Sequence, residues 1–522
     1  MKALASVLPI AQADFRERVR RSSFLVLLSA TVAGAYSFVP APSAGYVTLS
    51  FEGIRGLYNS AWVGSMVAIL DIALLSLVGF YLVRDAVERD ERTGVGQILA
   101  TTPMTRLAYV AGKFLSHVAI LGCVAAVTLA MAVVMQEVRG EVRAVEPLRL
   151  VLPFLVLVLP ALLLVAALAI LFETWKPLRG TVGGILYFFL WIGMLTVPIA
   201  QLVERGQLLP WLDALGWVQP VAAIQASVRA HFPDYRGGAV LGGARMSRWE
   251  LRTFAWQGLD WGAIAGWRLL WALAALGLVG LAALPFHRFD PERVPRRSEG
   301  GERVRPAGRL ARQGRRWLRV PERLAGSSRA LTVVSAELAL LLRERRRGWA
   351  LVALALWVAT LVAPLEAVRR VLLPLSWLWP VAAWATMGNR EARHRTEALL
   401  FVCPRPLGRQ LPAAYAAGVL LTALVGSAAA VRLAAGGVPG GLAAWGVGAL
   451  FVPALALAAG VLSRGPRLFE LIYLLVWYLG PVNGLPAVDF LAPVPRVQVG
   501  FLVVTGGLLA VAAALRAARL RG

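Results

Sequence analysis

Residues 61–83 read AWVGSMVAILDIALLSLVGFYLV, and the eleven that follow are Arg84-Asp85-Ala86-Val87-Glu88-Arg89-Asp90-Glu91-Arg92-Thr93-Gly94. Crossing a hydrocarbon core takes roughly 20 mostly apolar residues, so the first stretch is long enough to span, and Asp71 is its only charge. The second stretch carries seven charges, which places a water boundary between Val83 and Arg84. This alternation of apolar run and charged turn recurs to the end of the chain and decides the fold class.

Twelve apolar runs can be drawn, at about 24–40, 61–83, 107–135, 151–172, 181–200, 263–287, 348–364, 372–388, 411–430, 442–462, 468–483 and 497–515. No signal peptide accounts for runs that recur along a whole chain. The 522 residues are 58% hydrophobic, above the roughly 45–50% of soluble domains. Backbone groups facing lipid must be paired within their own segment, so every run is predicted to be a helix. The fold class is therefore all-α: a polytopic membrane protein of about 12 transmembrane helices in two pseudo-equivalent six-helix halves.

The net charge of +25 does not point to nucleic acid, because a nucleic-acid binder gathers its basic residues on one solvated domain. Here they occupy alternate loops. With a cytosolic N-terminus, 38 Lys and Arg fall in inside segments and 14 in outside ones, so the positive-inside rule selects that orientation. The expectation is a multi-pass protein of the cytoplasmic (inner) membrane with both termini cytosolic. Residues 1–287 form the first six-span half, with an interfacial N-terminal helix and an outer segment at 201–262, and 331–522 form the second. Residues 288–330 carry 13 Arg against 5 carboxylates and read as a solvated linker held near anionic headgroups.

The halves resemble each other. Asp14 and Glu337 each open a mixed stretch ending in a basic cluster against a span, as suits a helix lying in the interface. Glu88, Arg92, Thr93 and Pro103 of the first charged loop match Glu391, Arg395, Thr396 and Pro404 of the other. Tyr187 and Trp191 recur as Tyr473 and Trp477 in the fifth run of each half. Three matches in one order point to an internal repeat. A short helix ended by proline suits the transfer of force between subunits, and its charges can select a partner. The plainer reading is an i, i+4 pair from Glu88 to Arg92 that supports an exposed helix by about 0.2–0.5 kcal/mol.

The segment Glu88 to Arg106, with Glu88-x-x-x-Arg92-Thr93-Gly94, an apolar pair, Thr102-Pro103 and a basic residue three further on, is similar to the cytosolic coupling region of type-2 ABC exporter permeases. The interfacial helix, the six-span half and the long outer segment also look like that family. The resemblance implies an ATP-driven exporter whose loops at 84–106 and 389–410 dock on a separate ABC ATPase subunit, two copies being the simplest stoichiometry. It implies docking roles for Glu88, Arg92, Thr93, Gly94, Pro103 and Arg106, and for Glu391, Arg395, Thr396 and Pro404. Glu397 stands where the first half has Gly94, so the second loop matches less fully.

No phosphate-binding loop is visible in the chain: Gly112-Lys113 is followed by Phe114, and Leu107 stands where the first glycine is needed. ATP and Mg are therefore assigned to the partner, with no cofactor bound by this chain, and no catalytic or metal site is predicted. Asp71, mid-span, would cost about 2.5–3.5 kcal/mol unpartnered, so it is read as a structural pair or as a contact on a translocation path. Lys113 is expected to snorkel to the interface and His117 to be a hydrogen-bonded packing residue. Glu173 and Glu470 are expected to be solvated or paired with Arg. The Trp-rich outer segment suits helices lying in the headgroup layer. A major-facilitator-type secondary transporter, which also has twelve spans and a basic linker, is the rival reading.

Overall fold

The computed structural model describes residues 2–206, 208–245, 251–286, 289, 329–343, 347–394, 396–397 and 406–521. Most of the expected linker at 288–330 therefore lies outside the described residues. Contacts divide the chain into two units, Met1–Arg179 with Leu186–Arg297, and Gly180–Ile185 with Ser298–Gly522.

The first unit contains α1 (Lys2–Val19), α2 (Ser22–Phe38), β1 (Tyr46–Ser50), β2 (Ile54–Gly56), α3 (Ser60–Val83), α4 (Ala86–Thr93), α5 (Val95–Ala100) and α6 (Arg106–Arg139). There follow α7 (Pro147–Thr174), which passes through a π-turn at Phe154–Val158, then α8 (Gly180–Arg205), which belongs to this unit from Leu186 onward, α9 (Val218–His231), β3 (Val240–Arg245), β4 (Arg252–Phe254) and α10 (Trp261–Ala283). Helix α3 is the core: it is buried along nearly its whole length and packs on α6 and α7. Its start is set by Asn59, whose side chain accepts from the Trp62 N–H at 2.8 Å. Gly64 allows the α3 backbone to approach α7, since a Cβ there would lie 2.7 Å from the Arg149 carbonyl oxygen.

Opposite the α4–α5 turn, the outer segment departs from expectation. Among its described residues lie the helix α9 and two strands that reach back by almost 200 residues. β3 pairs antiparallel with β1, from Tyr46↔Arg245 to Ser50↔Val240, and β4 pairs parallel with β2, from Ile54↔Arg252 to Gly56↔Phe254. Trp217 and Trp256 are buried, whereas Trp211 is exposed. Two glycines in β3 disfavour helix, and the strand partners are too distant for any local period to reveal. Asp213 caps α9, its carboxylate accepting from the N–H groups of Gly216, Trp217, Val218 and Gln219 at 2.9–3.2 Å. Arg268, buried in α10, donates through Nη1 and Nη2 to the carbonyls of Asp213, Ala214 and Leu215, while its Nε–H has no partner among the described residues.

The second unit contains α11 (Arg329–Arg343), α12 (Arg347–Val362), α13 (Leu373–Leu378), α14 (Val381–Trp384), α15 (Arg390–His394), α16 (Pro406–Ala435), α17 (Pro439–Ser463), α18 (Arg467–Trp477) and α19 (Pro495–Arg521). Its core is α17, flanked by α16 and α19.

Among the described residues, eight helices are long and apolar enough to cross a membrane. Phe24–Phe38 and Gly348–Val362 are shorter apolar helices. The runs expected at 372–388 and 468–483 are broken. Pro380 separates α13 from α14, and Pro481 lies in the π-turn Tyr478–Val482 that ends α18, where a residue without an N–H cannot continue the ladder. The protein is thus an all-α polytopic membrane protein with two small strand pairs.

The Tyr–Trp pairs do matching work in the two units. Tyr187 Oη donates to the Ser76 carbonyl at 2.6 Å, and Trp191 Nε1 to Ser76 Oγ at 2.9 Å. Tyr473 Oη donates to the Trp377 carbonyl at 3.0 Å, and Trp477 Nε1 to the Pro374 carbonyl at 2.9 Å. Buried Tyr and Trp need a partner for their polar end, and residues four apart on a helix present both ends to one neighbour.

Candidate functional site

The charged turn after α3 folds as an elbow of two short helices. Asp85 takes a left-handed conformation (φ 115°), which redirects the chain from α3 into α4, and Gly94 (φ 79°) redirects it again into α5. Pro103 lies exposed in the turn before α6, whose start is capped by Thr105 Oγ1 accepting from the Ala108 N–H at 3.1 Å.

The inner face of α4 is clamped by charge. Glu173, at the end of α7, turns its carboxylate onto the start of α4, accepting from the N–H groups of Asp85 (2.5 Å) and Val87 (2.6 Å), where helix dipole and unpaired donors both favour an anion. Asp14 of α1 is the hub of a buried cluster. It accepts from Arg18 Nε at 2.9 Å, Lys113 Nζ at 2.8 Å, Ser116 Oγ at 2.7 Å and Arg89 of α4. Lys113 Nζ also lies 2.8 Å from Asp90 Oδ2 of α4, to which Tyr109 Oη donates at 2.7 Å. Arg18 further donates to the Val83 carbonyl at 2.9 Å and to His117 Nε2 at 3.3 Å. Burial alone would raise the Asp14 carboxyl, but Arg18, Lys113 and Arg89 beside it hold it well below the usual carboxylate range. Glu91 completes the clamp through Arg179 at 2.8 Å.

One expectation is corrected here, and one of the two alternatives held for Glu173 is excluded. Lys113 is buried between two carboxylates and does not snorkel, because α1 and α4 cover that end of α6. Glu173 is a buried helix cap and does not stand in solvent. His117 is a buried hydrogen-bonded residue, as expected. The cluster left a trace in the sequence, since Lys113, Ser116 and His117 share one face of α6, but nothing local linked that face to Asp14.

The outer face of the elbow carries the residues singled out from the sequence. Arg92 and Thr93 are exposed, and Glu88, Gly94 and Arg106 are half-buried. Arg92 pairs with Asp85 at 3.6 Å, and the Thr93 hydroxyl donates to the Arg89 carbonyl at 3.0 Å. Next to them stand the exposed apolar side chains of Val95 and of Ile98, the latter at 68% exposure.

In the second unit, Arg390 pairs with Glu337 of α11 at 3.0 Å. Glu391 is turned inward, accepting from Gln410 Nε2 at 2.7 Å and lying 3.3 Å from Arg516 Nη2 of α19. Thr396 is half-buried, and its N–H donates to the Glu391 carbonyl at 2.9 Å. Arg395 and Pro404 lie outside the described residues. Burial raises the Glu337 carboxyl above its ordinary range against the pull of Arg390.

Asp71 is buried in α3, and its Oδ1 accepts from Thr128 of α6 at 3.1 Å. The first unit also holds an apolar cavity of about 640 Å³ between α8 and α10, bordered by Met194, Trp211 and Trp271.

A family model described as ABC-2 family transporter protein matches residues 8–284, from within α1 through α10 and including the first elbow. No curated protein and no solved structure matches the chain.

Proposed function

The chain belongs to the ABC-2 family of transporter proteins, and from that premise we propose that its first elbow, residues 84–106, is where a separate ATPase delivers the work of nucleotide hydrolysis. Membership makes the chain a membrane subunit of an ABC transporter and implies association with an ABC ATPase subunit; it does not favour the facilitator alternative.

The observation that carries the proposal is the division of the elbow into two faces. Inward, α4 is tied to α1, α6 and α7 through Asp14, Lys113 and Glu173. Outward, Arg92, Val95, Ile98 and Pro103 are exposed. An element that takes force from one subunit and passes it into a helix bundle needs both a rigid inner attachment and an accessible outer surface. Exposed aliphatic side chains close in sequence to an exposed Arg suit a docking patch.

In this reading ATP and Mg²⁺ sit on the ATPase, this chain binds neither, and the elbows face the cytosol together with both termini. The loop at 389–410 receives a second ATPase copy, and closure of the ATPase pair moves the two six-span halves of one chain. Export is the direction assigned by resemblance, and Asp71 remains a candidate contact on the path. The matching Tyr–Trp contacts in the two units support the repeat on which this arrangement depends.

The test is co-purification of the ATPase with the full chain. Ile98→Asp, and Glu88→Ala with Arg92→Ala together, should each lower ATPase capture about tenfold or more, equivalent to about 1.4 kcal/mol. Undiminished capture by both variants refutes docking at this elbow.

A further inference from the structure

Gly94 separates two helices that are held in different ways. Helix α4 is fixed by buried charges, whereas Gly96 is the single buried residue of α5. What covers Gly96 is the ring of Phe289, a residue beyond the end of α10. A Cβ built on Gly96 would lie 2.7 Å from Phe289 Cδ1 and 2.8 Å from its Cγ, so the ring occupies the space that any other side chain would need. Phe289 holds a left-handed backbone (φ 57°), which bulky residues rarely adopt.

The ring is itself held in place. It meets Tyr109 edge-on with centroids 5.4 Å apart, and Tyr109 is stacked on Phe286 at 4.8 Å and 7°. Phe286 and Phe289 meet edge-on at 5.1 Å. Tyr109 Oη donates to Asp90 Oδ2, so the aromatic seat and the ionic clamp share a residue. The end of α10, the start of α6 and both helices of the elbow thus meet at one three-ring cluster.

We propose that Phe289 is a positioning residue for the elbow: seated on Gly96 and braced by Tyr109, it fixes the angle at which α5 presents Val95 and Ile98. The proposal rests on the docking reading only for what α5 is presented to. Gly96 is there because the ring needs its space, since alanine is the better helix former and would otherwise suit the middle of α5. Gly96→Ala should therefore strengthen α5 as a helix while displacing it from its seat.

The test uses the full chain in lipid nanodiscs, with Cys123→Ala and Cys403→Ala and nitroxides at Ile98→Cys and Val138→Cys, the latter exposed near the far end of α6. Double electron–electron resonance should give one narrow distance distribution for this background. Gly96→Ala and Phe289→Ala should each make it about twofold broader, and the double variant no broader than the worse single, because both act through one contact. Phe289→Leu, which keeps most of the volume, serves where Phe289→Ala does not fold. Unchanged width in both single variants, or broadening that adds in the double, overturns the seat. Should the widths behave as expected while Ile98→Asp and the Glu88→Ala/Arg92→Ala pair both still capture the ATPase, the docking reading falls and the seat stands.

Discussion

The two charged turns carry similar letters and are anchored by opposite arrangements. In the first, the elbow contributes Arg89 and Asp90 to a cluster whose hub, Asp14, is buried on α1 and meets three cations and a hydroxyl. In the second, α11 contributes Glu337 to Arg390, and the turn's own Glu391 reaches Arg516 near the C-terminus. The side chain of Asp14 is 2% exposed, against 14% for Glu337 and 18% for Glu391. Desolvated charges hold their partners to one geometry, and partly solvated ones tolerate rearrangement. The contrast teaches that two turns with similar letters need not be held equally firmly.

The largest effect should come from Lys113→Met, which leaves Asp14 and Asp90 buried with one cation fewer and should cost about 3–5 kcal/mol of stability. Arg516→Met removes a hydrogen bond to a charged group that keeps Gln410 as donor, and should cost about 1.5–3 kcal/mol. Tryptophan-detected unfolding in detergent measures both, and equal losses would break the comparison.

Acid should separate the elbows by sign. The folded pKa of Asp14 is depressed, so its contribution is fully present above its unfolded value of about 3.9 and is lost as pH falls through the folded value. The folded pKa of Glu337 is raised, so its ionised form carries a cost at neutral pH that is relieved as pH falls through that raised value. The stability deficit of Asp14→Asn should thus be level above about pH 4 and shrink below it, because the wild-type protein loses its advantage there. Any gain in Glu337→Gln should be confined to neutral pH and vanish on acidification. Parallel pH profiles for the two variants would contradict the assignment.

The smallest effects should be matched ones. Tyr187→Phe and Tyr473→Phe each remove one buried hydroxyl from a carbonyl, for about 1 kcal/mol apiece. Losses differing by more than about 1 kcal/mol would show that the correspondence is one of letters only.

Composition and spacing were enough to place most of the long helices. Runs such as 61–83, 442–462 and 497–515 became α3, α17 and α19 with ends moved by a few residues, because lipid demands apolar side chains and internal backbone pairing of any segment that crosses it. The sequence also marked the elbow, since a run of charges followed by Gly94 and Pro103 can only leave the membrane, turn and stop. Which charges are buried depends on packing between distant segments. Lys113 and Glu173 look like ordinary boundary residues until Asp14, 99 residues from Lys113, and the start of α4, nearly 90 from Glu173, are brought against them. The β1–β3 and β2–β4 pairs and the Phe289 ring on Gly96 were hidden for the same reason. Local composition sets the solvent a segment needs, whereas the partner of a charge, an edge or a missing Cβ is fixed by how distant segments pack.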